Sequence, residues 1–137
     1  MSDYPRFTLN RGMVILRCMQ PFADWLNAND PMPRNFSLAD INEEGNVFLV
    51  PSYDSLLDPV EIHQDAVKWV EKRWRMFFEH MLNDWLTDES LWPKNRTLKM
   101  FREWFAVEYS PMVWDMGNEP LAVEDWDRME GGGGLMH

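Results

Sequence analysis

Between Val67 and Trp85, large apolar residues return at helical intervals: Val67, Val70, Trp74, Phe77, Met81 and Trp85 are spaced 3, 4, 3, 4 and 4 apart. This rhythm fits one stripe of an α-helix and excludes a strand, whose side chains change face at every residue. Upstream, Asp58 can cap, Pro59 suits the first helical position and Glu61 can reach back to the cap amide. The spacing therefore predicts a single long helix over about 58–86. Lys68, Lys72, Arg75 and Glu79 fall on its solvated side, with Trp69 beside them.

An apolar stripe of that length must be covered. A second helix is predicted to start at Asn95 or Thr97, either of which can cap, after Trp92-Pro93 ends the connection. Leu98, Phe101 and Phe105 form its stripe, with Met100 and Trp104 on an adjacent row. The short connection favours an antiparallel pair. Residues 13–19 (Met-Val-Ile-Leu-Arg-Cys-Met) read as a strand, and Pro21 opens a short helix over 22–27. Ser37 and Asp40 frame another helix to about Glu44, with Gly45 suited to its stop. Val47–Val50 is apolar on both faces, the pattern of a central strand covered on both sides. Val107–Tyr109 and Met112–Trp114 read as one strand interrupted at Ser110-Pro111, hence a bulge or an edge.

The order is β-α-α-β-α-α-β, an α+β fold in which a small three-stranded sheet is covered by the helical pair. A length of 137 residues suits one domain, placed at 1–116, followed by an acidic, Gly-rich tail at 117–137. The tail is expected to pack loosely, with about the last seven residues disordered.

Composition narrows the function. The 8 Trp and 11 Met call for either a core of large side chains or an aromatic binding surface, and helical spacing places most Trp in the core. Cys18 is the only cysteine, so no internal disulfide is possible. The first residues carry an early acid and no apolar signal-peptide core, and no run approaches a membrane span. The expectation is a cytoplasmic protein without a membrane partner.

The net charge of −10 is segregated. Residues 18–67 hold nine acids against one Arg, and 103–137 hold eight against one, whereas 68–102 hold eight Lys/Arg against five acids. The acidic total argues against nonspecific nucleic-acid binding, which depends on neutralising phosphates. A basic centre between acidic flanks suggests that the tail, with Leu121, Val123 and Trp126 among Glu124, Asp125 and Asp127, docks on the 68–102 helices of its own chain or a neighbour. The interaction surface so defined is Lys68, Trp69, Lys72, Arg75 and Trp126.

The sequence shows no phosphate-binding glycine loop, nucleophile elbow, zinc-type cysteine pair or His-Glu-x-x-His. No cofactor and no metal is expected. Cys18, within an apolar strand, reads as an inert thiol. His80 and Asp84 share a helix face but supply two ligands, and Glu61 and His63 lie roughly 25 Å away at 1.5 Å per residue. Glu108 is expected to form a structural ion pair with Arg102 or Arg75. A site assembled from dispersed residues would be sought first at Trp25, Tyr53, His63 and Glu108.

Residues 20–27 (Gln-Pro-Phe-Ala-Asp-Trp-Leu-Asn), 92–97 (Trp-Pro-Lys-Asn-Arg-Thr), 100–105 (Met-Phe-Arg-Glu-Trp-Phe) and 112–115 (Met-Val-Trp-Asp) resemble segments of a family of short, uncharacterised, conserved hypothetical bacterial proteins, a domain of unknown function. The resemblance covers most of 12–115. It implies a bacterial, cytoplasmic protein and transfers no catalytic residue. The functional expectation is a non-catalytic protein-interaction or regulatory domain, acting on a protein partner or as a homodimer. A small enzyme with a dispersed site, and nucleic-acid association through the basic helix, are the alternatives.

Overall fold

The computed structural model describes residues 4–129, with side chains through Asp127. The described residues divide into two compact units, Leu9–Val113 and a smaller one drawing on residues 4–8 and 114–129. In the larger unit, β2 (Arg11–Cys18) runs between β3 (Val47–Pro51) and β4 (Phe105–Ser110), antiparallel to both. Alternation along β2 buries Gly12, Val14, Leu16 and Cys18 and turns Met13, Ile15 and Arg17 to the other face. The register sets Phe48 and Tyr109 beside Val14, and Val107 beside Leu16, so all three strands give one apolar face to the helices.

The fold is mixed α and β, as the pattern indicates, but its centre differs from expectation. The central strand is β2, and β3 is an edge strand, with Val47 and Leu49 exposed on the face the helices leave open. Two-sided hydrophobicity here marks an uncovered apolar surface instead of burial. The expected single strand over 107–114 is two: β4 joins β2, while β5 (Trp114–Asp115) pairs with β1 (Phe7–Thr8) in the smaller unit. Residues after Ser110-Pro111 thus leave one sheet for another.

Helix α1 (Gln20–Asn29) carries its proline in the first turn. It ends at Asp30, whose nearly buried carboxylate accepts two hydrogen bonds from Arg34 (2.9 and 3.0 Å) and one from the Met32 amide (3.0 Å). Helix α2 (Leu38–Glu43) starts with the expected capping box: Ser37 Oγ accepts from the Asp40 amide, and the Asp40 carboxylate accepts from the Ser37 amide, both at 3.1 Å. Asn42 then clasps the end of β2, accepting from the Cys18 amide (2.8 Å) and donating to its carbonyl (3.1 Å).

The single helix expected over 58–86 is two, α3 (His63–Glu71) and α4 (Trp74–Trp85). It starts late because Val60 is buried and tethered: its amide donates to the Ser52 carbonyl (3.3 Å), and its carbonyl accepts from the Tyr109 hydroxyl (3.1 Å). Asp65 takes over the capping role, accepting from the Glu61 and Ile62 amides at 3.0 and 3.1 Å. The break falls at Arg73, with no Gly or Pro to announce it. Its guanidinium turns back to the Trp69 carbonyl (2.9 Å) and to Asp58 (3.2 Å), so Asp58 is an ion-pair partner and not a cap.

Thr97 caps α5 (Leu98–Trp104), accepting from the Met100 amide at 3.1 Å, and the chain passes from Trp104 directly into β4. Phe22, Phe78, Phe101, Trp104 and Phe105 form a continuous aromatic centre with ring centroids 5.1–6.1 Å apart. Trp25, Trp92 and Trp104 are buried, and Trp69, Trp74 and Trp85 pack against the core, so most of the tryptophan does build it.

In the smaller unit, Phe7 pairs with Asp115 and Thr8 with Trp114, and the Arg6 guanidinium lies 5.4 Å from the Trp114 ring centroid. Residues 117–125 form neither helix nor strand and lead to a short helix, α6 (Trp126–Met129), that the sequence pattern did not indicate. The glycine run at 131–134 and the expected terminal disorder lie outside the described residues. Among the described residues no helix is long and apolar enough to cross a membrane.

Two stability outcomes follow from this packing. Phe78→Ala, which removes a fully buried ring touching three aromatic neighbours of the centre, should cost about 3–5 kcal/mol in denaturant unfolding. Hydrogen bonds from Arg34, then from the Met32 amide, hold the Asp30 carboxyl below the usual carboxylate range, against the opposing effect of desolvation. Its contribution is therefore complete above the unfolded value of about 4 and is lost as pH falls through the lower folded value. Asp30→Asn should flatten the acid limb of the stability–pH curve below about pH 4.

Candidate functional site: an apolar loop tip beside a basic groove

The segment between β3 and α3 is built to hold its ends and present its middle. The Ser52 carbonyl accepts from the Ser55 amide (3.2 Å) and from the Val60 amide, closing the loop at its base. Val60 is sunk in the core, and Asp58 is tied to Arg73. A glycine makes the anchor possible: a Cβ at Gly12 would lie 2.9 Å from Tyr109 Cε1, so only a bare backbone lets that ring cross β2 and reach Val60. Between these fixed points Leu56 and Leu57 are 98% and 94% exposed, and Tyr53 and Ile62 are exposed on either side. Isolated surface leucines are ordinary, but two adjacent ones left in water on a loop pinned at both ends form a candidate contact surface.

Immediately after the tip, Asp58 and Pro59 enter the wall of a groove of about 470 Å³, shared with Asp65, Lys68, Trp69, Glu71 and Lys72 of α3 and its end, and with Leu98 of α5. Its three acids are committed. Asp58 pairs with Arg73, Asp65 caps α3, and Glu71 receives a two-pronged contact from Arg102 at 2.8 and 3.0 Å. The Glu61 and Ile62 amides, with a further pull from Lys68, hold the Asp65 carboxyl low, and Glu71 raises Arg102. Lys68 and Lys72, one helical turn apart and exposed, form no ion pair among the described residues. The groove therefore exposes two lysines, of which Lys68 also acts on Asp65, beside the apolar surface of Pro59, Trp69 and Leu98.

Trp69 is less exposed than its position on the helix wheel suggests. Its ring packs edge-on to Phe77 (6.1 Å), and Arg73 lies over it at 3.8 Å from the centroid. Its indole N–H is buried and has no acceptor among the described residues. The break at Arg73 also divides the basic row: Lys68 and Lys72 face this groove, while Arg75 lines a separate recess of about 320 Å³ with Trp74, Glu79, Asn95 and Arg96. Trp126 is exposed in the smaller unit. The loop tip was missed in the sequence because Leu56 and Leu57 sit next to an apparent helix start, where leucine is unremarkable.

Of the other candidates, Tyr53 is exposed beside the loop tip, and the rest each contact a neighbour elsewhere in the fold and are not brought together in one site. The Trp25 indole donates to the Leu91 carbonyl (3.0 Å), and the His63 ring contacts the Val107 carbonyl (3.0 Å). Glu108 does form an ion pair, but with Arg17 of the adjacent strand (3.0 Å), not with Arg102 or Arg75; it lies on the open sheet face, away from the helices. His80 meets the Phe48 ring edge-on (5.2 Å), and Asp84 accepts from Asn46 (2.9 Å). Among the described residues, no three His, Cys, Asp or Glu side chains are grouped to hold a metal ion. Burial, reinforced by Asp84, pushes the Cys18 thiol up to about 12, so it stays protonated and unreactive at neutral pH.

No family model matches the chain, and neither a curated protein nor a solved structure shows significant similarity to it. The functional reading therefore rests on the surface just described.

The two tryptophans separate a bonded indole from an orphaned one. Trp25→Phe strands the Leu91 carbonyl and should cost about 1–3 kcal/mol. Trp69→Phe removes a donor that has no partner and should cost distinctly less in the same unfolding experiment.

Proposed function

We propose that the protein is an interaction module, a cytoplasmic regulatory or scaffolding domain that binds a protein partner or a second copy of itself through the 52–62 loop and the groove beside it. The observation that carries this reading is the near-complete exposure of Leu56 and Leu57 on a loop whose two ends are anchored in the core. A loop already fixed in shape loses little conformational freedom on docking, so its apolar contacts are retained as affinity. The leucines can fill an apolar pocket, and Lys68 and Lys72 can set orientation by meeting acids at the rim. The single buried thiol fits a reducing compartment, where no disulfide is needed.

The double change Leu56→Ser/Leu57→Ser tests this. Both side chains are already in water, so the melting temperature should stay unchanged. With the 137-residue chain as bait, proteins retained by the wild type should be lost by the variant. Retention of the same proteins by both would remove the loop from the function.

A further inference from the structure

We propose that the groove is occupied by residues 121–127 of a second copy, in a two-fold dimer where each chain gives its acidic segment and receives its partner's. This rests on the interaction reading and names the occupant. Arg73 and Arg102 offset Asp58 and Glu71, so among the described residues Lys68 and Lys72 outnumber the one lining acid, Asp65, that no arginine pairs, and the balance is positive. The segment is its chemical complement: Leu121, Val123 and Trp126 are exposed, and Glu124 and Asp127 stand among them. Pro59, Trp69 and Leu98 provide apolar surface for those side chains, while the two lysines lie one helical turn apart to meet the carboxylates. A reciprocal exchange uses the contact twice, and two-fold closure leaves no groove unfilled to propagate a chain of molecules.

The same charge partition supplies the test. Lys68→Glu/Lys72→Glu makes groove and segment alike in sign, and so, from the other side, does Glu124→Lys/Asp127→Lys. In sedimentation over a concentration series, the wild type should dimerise, more weakly as salt rises. Each double variant alone should dissociate at a concentration roughly tenfold or more above that of the wild type. Mixed in equal amounts, the two should recover a dimer, because both reciprocal contacts are again between opposite charges. Circular dichroism on each variant excludes unfolding as the cause, since all four side chains are on the surface. A wild type that stays monomeric throughout, or a dimer that neither variant weakens, would overturn the proposal. If the leucine variant still lost its partners, the interaction reading would stand without it. Dissociation of both variants with no recovery on mixing would also count against this occupant.

Discussion

The double pairing of β2 is the interaction on which the rest of the molecule depends. One eight-residue strand supplies the centre of the sheet, and its alternation decides which face the helices cover. Val14, Leu16 and Cys18 form the base of the aromatic core, and Asn42 secures the strand's end by both backbone groups. Even the candidate surface is fixed from β2, because the loop is held by Tyr109, whose ring passes over Gly12. Loss of register by one residue would exchange the buried and open faces and release the loop with them.

The class of fold was readable because local signals agree: the capping box at Ser37, the cap at Thr97, the proline in α1 and the apolar stripe of α3 and α4 all report what neighbouring residues can do. What was not readable depends on partners distant in sequence. Nothing near Arg73 breaks a helix. The break lies where Arg73 is drawn to Asp58 and to the Trp69 carbonyl, fifteen and four residues upstream. Likewise, Val47–Val50 is apolar on both sides, but whether a strand is central or at an edge is settled by strand order, which periodicity does not encode.

The candidate site was half visible. Lys68, Trp69 and Lys72 were singled out as a basic and aromatic row, and three-dimensional structure places them in one groove. Charge composition alone could not show which charges remain available. Asp58, Asp65 and Glu71 line the same groove and look, in sequence, like enough acid to cancel the lysines. Asp58 and Glu71 are each offset by an arginine, which leaves Asp65 as the one lining acid set against the two lysines. Leu56 and Leu57 are silent for the opposite reason, since a hydrophobic pair in sequence carries no mark of being left in water.

The meeting of Gly12 and Tyr109 couples two positions distant in sequence through one steric contact. A side chain at 12 displaces the phenol, and a displaced phenol frees the Val60 carbonyl that anchors the loop. Neither position touches the exposed leucines, but drift at either one would change the shape in which they are displayed. Selection on what the loop contacts would therefore be felt at a buried glycine of the central strand that contributes no side chain of its own to the surface.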